Sequence, residues 1–122
     1  PEWHGMVPAA LKNFFLHFSG GELAHKPALL TSVSSGTGGA YPISELRASS
    51  YKNSRICYLP EHLIVRNVES VLNENSDLNN GNHNLLMERL VFCVNLLIEY
   101  VDAFERIRNS EIVSTKRFKN GM

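Results

Sequence analysis

A short run of glycine and hydroxyl residues is the stretch of this sequence best suited to hold a ligand. Residues 34–39 are Ser-Ser-Gly-Thr-Gly-Gly. Glycines let a flat ligand or a phosphate approach the main chain, because no Cβ stands in the way. The run is not the G-x-G-x-x-G of a dinucleotide-binding fold, and it lacks the lysine of a phosphate-binding nucleotide loop. Taken alone, it is equally consistent with a flexible turn.

A second candidate loop opens the sequence. Residues 1–7, Pro-Glu-Trp-His-Gly-Met-Val, precede Pro8, which suits the first turn of a helix. Residues 34–39 also lead into a helical stretch. Each loop therefore offers unpaired backbone N–H groups and the positive end of a helix dipole to an electron-rich ligand. In an open α/β sheet such loops meet beyond the carboxyl ends of the strands, where ligands bind.

The first helix and the first strand are predicted from hydrophobic spacing. A helix with one buried face is indicated by apolar residues at i, i+3, i+4 and i+7, and Ser19-Gly20-Gly21 ends it. The nearly continuous apolar run Lys26–Val33 predicts a strand that is buried on both faces. The apolar residues of the helix are Leu11, Phe14, Phe15 and Phe18.

The second half of the chain repeats this alternation. A weaker helical stretch passes through Ile43–Arg47, and Arg55–Leu59 predicts a second strand that continues irregularly over Pro60–Val65. Residues 73–84 contain six asparagines and predict a surface loop. The last helix is predicted over Leu85–Arg108. Its buried stripe is expected to be Leu86, Leu90, Val94, Leu97, Val101 and Phe104.

Alternating helices and strands favour a parallel sheet with helices on both faces. Two parallel strands cannot form a sheet whose faces are both covered, so further strands are expected on the N-terminal side of Pro1. Residues 1–122 are therefore expected to be the C-terminal portion of a single domain, with residues 109–122 as a flexible tail.

Composition excludes several classes of function. The 122 residues carry twelve basic and twelve acidic side chains, which argues against a nucleic-acid or anionic-membrane partner. No apolar stretch is long enough to span a membrane, and no secretory signal is present. Cys57 and Cys93 lie in apolar runs and predict buried, reduced thiols in a cytoplasmic protein. The histidines lack metal-ligand spacing, and Arg47 and Arg55 are interpreted as surface ion pairs rather than dinucleotide ligands.

Two segments resemble one known family. PEWHGMVPAALKNFF is similar to the P-E-Y…P-x-x-L-K-N segment of the NADPH-dependent FMN reductase family, and KPALLTSVSSGTGGAYPISELR is similar to its K-P-v…G-G…L-R segment. The segments occur in the family's order and separation. The resemblance extends from Pro1 to about Val71 and implies a flavodoxin-like fold.

The resemblance also implies a cofactor and its contacts. Both loops are expected to lie along the ring of FMN, with NAD(P)H as hydride donor and a small molecule as electron acceptor. Because the cofactor supplies the chemistry, the sequence indicates no catalytic acid or base and no metal site. The residues expected to bind FMN are Pro1, Glu2, Trp3, His4 and Gly5 of the first loop, and Ser34, Ser35, Gly36, Gly38 and Gly39 of the second.

Some features depart from the family pattern. Trp3 stands where the family has tyrosine, and His4 stands where asparagine is common. The family's phosphate loop, of the G-S-x-R type, does not occur in these residues. The sequence thus favours an FMN-dependent NAD(P)H oxidoreductase that forms a homo-oligomer. A non-catalytic domain that has lost flavin binding and a flavin-holding electron carrier remain as alternatives.

Overall fold

Two parallel strands with helices on both faces form the framework of the chain. The structure, a computed structural model, describes residues 1–73, 81–114 and 117–120. The predicted α/β fold, of partial flavodoxin-like type, is confirmed. In chain order its elements are α1 (Ala9–Leu16), β1 (Pro27–Val33), α2 (Ala40–Ala48), β2 (Cys57–Val65) and α3 (Gly81–Arg108), with single 3-10 turns at Val68–Ser70 and Glu111–Val113.

The two strands pair in parallel with one irregularity. The pair Ala28 and Tyr58 is followed by the pair Leu30 and His62, so β2 carries two extra residues there. Pro60 lies in this bulge, where its missing N–H removes no ladder hydrogen bond. The irregular continuation of the second strand is therefore confirmed, although the whole segment belongs to one strand.

Successive side chains of β2 point to opposite faces of the sheet, and a different helix packs on each face. Leu63 and Val65 are buried and pack with Leu86 and Leu90 of α3. The side chain of Ile64 points to the opposite face, towards the N-terminus of α2 at Gly39. Helices thus cover both faces of β2. Along β1 the prediction of burial on both faces is wrong, since Thr31 is exposed.

The buried face predicted for α1 is not formed. Within the described residues α1 has no buried residue, and Leu11 and Phe14 are 37% and 46% exposed. The helix is joined to α2 by the ion pair between Lys12 and Glu45. Its aromatic rings contact one another, and the ring centroids of Phe14 and Phe18 lie 4.6 Å apart.

The last helix begins earlier than predicted. α3 starts at Gly81, so residues 81–84 of the predicted asparagine-rich loop are helical, and residues 74–80 of that loop lie outside the described residues. The early start is tied to His83, whose Nδ1 accepts a hydrogen bond from the N–H of Leu72 at 3.3 Å. His83 is buried. Its contact with Leu72 holds the first turn of α3 against the loop that follows β2.

The rotation of α3 also differs from the prediction. Its most buried residue is Cys93, which is fully covered, whereas Val94 and Val101 of the predicted stripe are 40% and 41% exposed. Apolar residues occupy most of the circumference of α3, so their spacing alone did not define which side faces the sheet. No helix in the described ranges is both long enough and apolar enough to cross a membrane.

Three other side chains bear on the sequence predictions. Cys93 is buried as predicted, but Cys57 is only half-buried, and neither forms a disulfide. Partial burial raises the pKa of the Cys57 thiol. The ion pairs predicted for Arg47 and Arg55 do not form among the described residues, where both guanidinium groups donate to backbone carbonyl oxygens instead.

Arg47 stabilises the bulge of β2. One of its terminal nitrogens donates to the carbonyls of Leu59 at 2.7 Å, Pro60 at 2.9 Å and Glu61 at 3.3 Å. These carbonyls lie where the ladder with β1 is interrupted, so Arg47 replaces the missing strand partner.

We expect Arg47→Met to lower the free energy of unfolding by about 2 kcal/mol, because partly buried carbonyls lose a charged donor. Urea denaturation followed by circular dichroism measures this change. The matched control is Arg106→Met on the exposed side of α3, for which we expect a change within about 0.5 kcal/mol. Equal effects of the two substitutions would show that Arg47 does not support the bulge.

Candidate functional site

The first loop folds into a tight hairpin turn. Trp3 and Met6 form an antiparallel bridge, with N–H to carbonyl distances of 3.2 Å and 2.9 Å. The central residues His4 and Gly5 have φ values of 50° and 72°, and positive φ at both positions is the requirement of a type I′ turn. Glycine meets this requirement without cost, and His4 holds a conformation that is uncommon for a residue with a side chain.

The start of this loop is attached to the end of β1. The N–H of Glu2 donates to the carbonyl of Val33 at 2.8 Å. The N–H of the next residue, Ser34, donates to the carbonyl of Val65 in β2 at 2.8 Å. The carbonyl of Val33 therefore points to the edge of β1 that faces away from β2. The first loop therefore lies beside the carboxyl end of β1, where the second loop begins.

The carboxylate of Glu2 joins the two loops. It accepts a hydrogen bond from the N–H of Gly39, the residue that caps α2. A carboxylate in this position also interacts favourably with the positive end of the helix dipole. Gly38 lies so close to Glu2 that an added Cβ would overlap the carboxylate. The two predicted loops thus form one continuous surface, with Glu2 between them.

A third loop, which the sequence prediction did not include, supports the second. After β2, the Nε of Arg66 donates to the carbonyl of Gly38 and the N–H of Asn67 donates to that of Gly36, both at 2.9 Å. The available signal was position: Arg66 directly follows β2, and so reaches the same sheet edge as residues 34–39.

Helix α1 is held against α2 by Glu45. Its carboxylate accepts the N–H of Val7 at 2.8 Å and pairs with the Nζ of Lys12 at 2.6 Å. The hydrogen bond from Lys12 and that from Val7 lower the pKa of Glu45 below its ordinary 4.5. Since the folded pKa is the lower one, this stabilisation is present above about pH 4.5 and is lost as the pH falls through the folded pKa.

The surface of the two loops presents hydrogen-bond donors. None of the backbone N–H groups of His4, Gly5, Ser35, Gly36 and Gly38 donates to another residue in the part of the chain that the structure describes. These residues are exposed or half-buried. Such donors suit the electron-rich edge of a flat heterocycle or the oxygens of an anion.

The remaining predicted residues lie around these donors. Trp3 is 70% exposed, and its ring contacts that of His4 edge-on with centroids 5.5 Å apart. Gly39 is buried under the side chain of Ile64, and Pro1 is exposed beside Glu2. Ser34 uses both backbone groups within the protein, since its N–H donates to Val65 and its carbonyl accepts from the N–H of Val68 at 3.2 Å. Within the described residues, no group of three or more His, Cys, Asp and Glu could hold a metal ion.

A parallel α/β sheet with donor-rich loops at its carboxyl edge defines a class of nucleotide- and flavin-binding proteins. Within this class, the sequence model of the family described as NADPH-dependent FMN reductase matches residues 1–70. The match covers both loops, β1, α2 and β2. The chain therefore belongs to the NADPH-dependent FMN reductase family, and the resemblance found in the sequence is confirmed. No curated protein matched the chain.

The close packing of Gly39 gives a direct test of this geometry. Its φ is +101°, and an added Cβ would lie 2.5 Å from Cγ2 of Ile64. We expect Gly39→Ala to lower the free energy of unfolding by at least about 2 kcal/mol, through backbone strain and overlap.

Gly36 in the same loop is the matched control, because a Cβ there meets no atom within 4 Å. We expect Gly36→Ala to change the free energy of unfolding by no more than about 0.5 kcal/mol. Thermal and urea unfolding of both variants measure the difference. If Gly39→Ala proved as stable as Gly36→Ala, the close approach of the second loop to β2 would be wrong.

Proposed function

We propose that this protein acts in FMN-dependent oxidation of NAD(P)H, with electrons passed to a small-molecule acceptor such as a quinone, an azo dye, a metal ion or free flavin. Membership of the family supports a flavin reductase in general. The observation that carries the proposal for this chain is the surface on which Glu2 joins two donor-rich loops at the carboxyl edge of the sheet.

The residues of both loops fit an FMN ring. Backbone N–H groups at His4, Gly5, Ser35, Gly36 and Gly38 can donate to the pyrimidine oxygens and nitrogens, and donors placed there favour the negative charge of the reduced ring. When bound, FMN supplies a hydride acceptor at N5. The proposed FMN-binding residues are Pro1, Glu2, Trp3, His4, Gly5, Ser34, Ser35, Gly36, Gly38 and Gly39.

The protein's own contribution is position and electrostatics. Glu2 fixes the spacing between the loops, and Arg66 fixes the carbonyl of Gly38 and brings a positive charge to the same edge. Trp3 offers an exposed aromatic face beside the turn. No side chain is proposed as a catalytic acid or base, because the cofactor supplies the chemistry.

A non-catalytic domain is the second candidate function. It is favoured by the contact between Glu2 and Gly39, since the carboxylate uses an N–H at the N-terminus of α2 that could otherwise face a ligand. A chain that folds with both loops intact but binds no flavin would support this candidate.

We further propose that residues 1–122 form the C-terminal portion of one flavodoxin-like domain and that the protein forms a homo-oligomer. Among the described residues β2 is the one strand that pairs with β1, and the other edge of β1 supports additional strands. The exposed apolar side chains of α1 and α3 support a subunit contact. Sedimentation velocity tests the oligomer, and a monomer at all concentrations would contradict it.

We also propose a cytoplasmic location. It is supported by Cys57 and Cys93, which are free thiols in the structure. Fractionation of cells that produce the protein tests this location, and recovery from an oxidising compartment would contradict it.

The function is tested by titrating FMN into the chain. We expect saturable quenching of flavin fluorescence, accompanied by quenching of Trp3, which is the only tryptophan. Trp3→Leu should weaken FMN binding about fivefold, because one aromatic contact is lost. Tyr51→Leu is the matched control, since Tyr51 is an exposed aromatic residue in the loop between α2 and β2, and it should leave affinity unchanged.

A protein that quenches flavin fluorescence and oxidises NAD(P)H with FMN present supports the proposal. A folded protein that neither binds FMN nor oxidises NAD(P)H would overturn it.

A further inference from the structure

Val7 is the residue through which the first loop and α1 are fixed to the rest of the chain. It is the one buried residue among residues 1–20, all of which the structure describes, and it is 3% exposed. Helix α1 begins two residues later and has no buried residue along its described length. The position of the first loop therefore depends on the contacts around Val7, together with those of Glu2.

The partner of the Val7 N–H is the side chain of Glu45 on α2. Its Oε2 accepts this hydrogen bond at 2.8 Å, while its Oε1 lies 2.6 Å from the Nζ of Lys12. The ion pair is the weaker contact, because the Lys12 side chain is half exposed. Val7 is buried, so leaving its N–H without an acceptor is costly, and the hydrogen bond to Val7 is the stronger contact.

Helix α2 gives the Glu45 carboxylate a fixed support. Ile43 is buried in this helix, and Arg47 donates to the carbonyls of the β2 bulge. At the start of the helix, the ring of Tyr41 lies against the hairpin turn, with its Cδ2 3.5 Å from the place that a Cβ on Gly5 would take. The first loop thus lies along α2, from Tyr41 to Glu45.

The second loop is positioned by a different charged side chain. The carboxylate of Glu45 contacts Val7 and Lys12, which belong to the first loop and α1. The contact of Arg66 is with the carbonyl of Gly38 in the second loop. Each loop therefore has its own charged support, and Glu2 joins the two loops.

We propose that Glu45 is a positioning residue for the flavin surface. From α2 it holds the first loop where the N–H donors of that loop act together with those of the second loop. Glu45 acts through Val7 and not through contact with the ligand. Flavin binding rests on the proposed function, whereas the placement of the first loop rests on the contacts of Glu45 alone.

Loop placement is tested without any ligand, by amide NMR spectra and hydrogen exchange of the full chain. In Glu45→Ala we expect exchange of the Val7 N–H to become at least about tenfold faster, because its acceptor is removed. The amide signals of His4 and Gly5 should shift, while those of residues 35–38 keep their positions.

Arg66→Met is the reciprocal variant. It removes the support of the second loop, so we expect the amide signals of Gly36 and Gly38 to shift. Exchange of the Val7 N–H should remain unchanged in this variant, because the Glu45 contact is retained.

The effect on flavin is measured by titrating FMN into each variant, with its fold checked by circular dichroism. We expect Glu45→Ala to raise the dissociation constant about tenfold, because the donors of the first loop are no longer held in place. Glu45→Gln keeps an oxygen that can accept from Val7 and loses only the charge, so it should raise the constant no more than about threefold. Glu99→Ala, on the exposed side of α3, should leave it within about twofold.

The outcomes separate this inference from the proposed function. Local changes around Val7 together with weaker FMN binding in Glu45→Ala support the inference. If the chain binds no FMN, the proposed function fails, and the exchange of Val7 still decides whether Glu45 places the first loop.

Equal FMN affinity of Glu45→Ala and Glu99→Ala would overturn the inference and leave the function intact. Unchanged exchange at Val7 would also overturn it. So would faster exchange spread evenly over both loops and both strands, because Glu45 would then stabilise the whole fold and not the position of one loop.

Discussion

The hydrogen bond from the N–H of Gly39 to the carboxylate of Glu2 is the contact on which the candidate site depends. It joins residues that are far apart in sequence and brings a hairpin turn against the N-terminus of α2. Since the N–H of Glu2 is bonded to Val33, backbone and side chain of one residue fix both loops to the end of β1. The donors of the two loops then share one surface, which neither loop could provide alone.

The hydrophobic core that supports this arrangement is small. Leu63, Val65 and Val71 form the buried cluster, and most of α3 remains open to solvent on two sides. The site is instead positioned by polar contacts at the end of the strands, through Glu2, Arg66 and Glu45. Such contacts are directional, so they define the geometry of loops that few apolar side chains support.

The sequence predicted the elements and the two loops because their signals are local. Pro27–Val33 is a short apolar run between breakers, and the glycines of the second loop mark a turn with close backbone approach. Two features were not predictable from local spacing. The rotation of α3 depends on the sheet against which it packs, and Val94 is as apolar as its buried neighbour Cys93. The position of Arg66 directly after β2 places it at the same sheet edge, but its contact with Gly38 was not predictable from local spacing.

If the proposal is right, both loops form a single flavin-binding surface. Amide chemical-shift mapping during an FMN titration tests it most directly, because each free N–H reports separately. We expect the amides of His4, Gly5, Ser35, Gly36 and Gly38 to shift along one saturable curve with a common dissociation constant. Shifts confined to one loop, or different dissociation constants for the two loops, would contradict it.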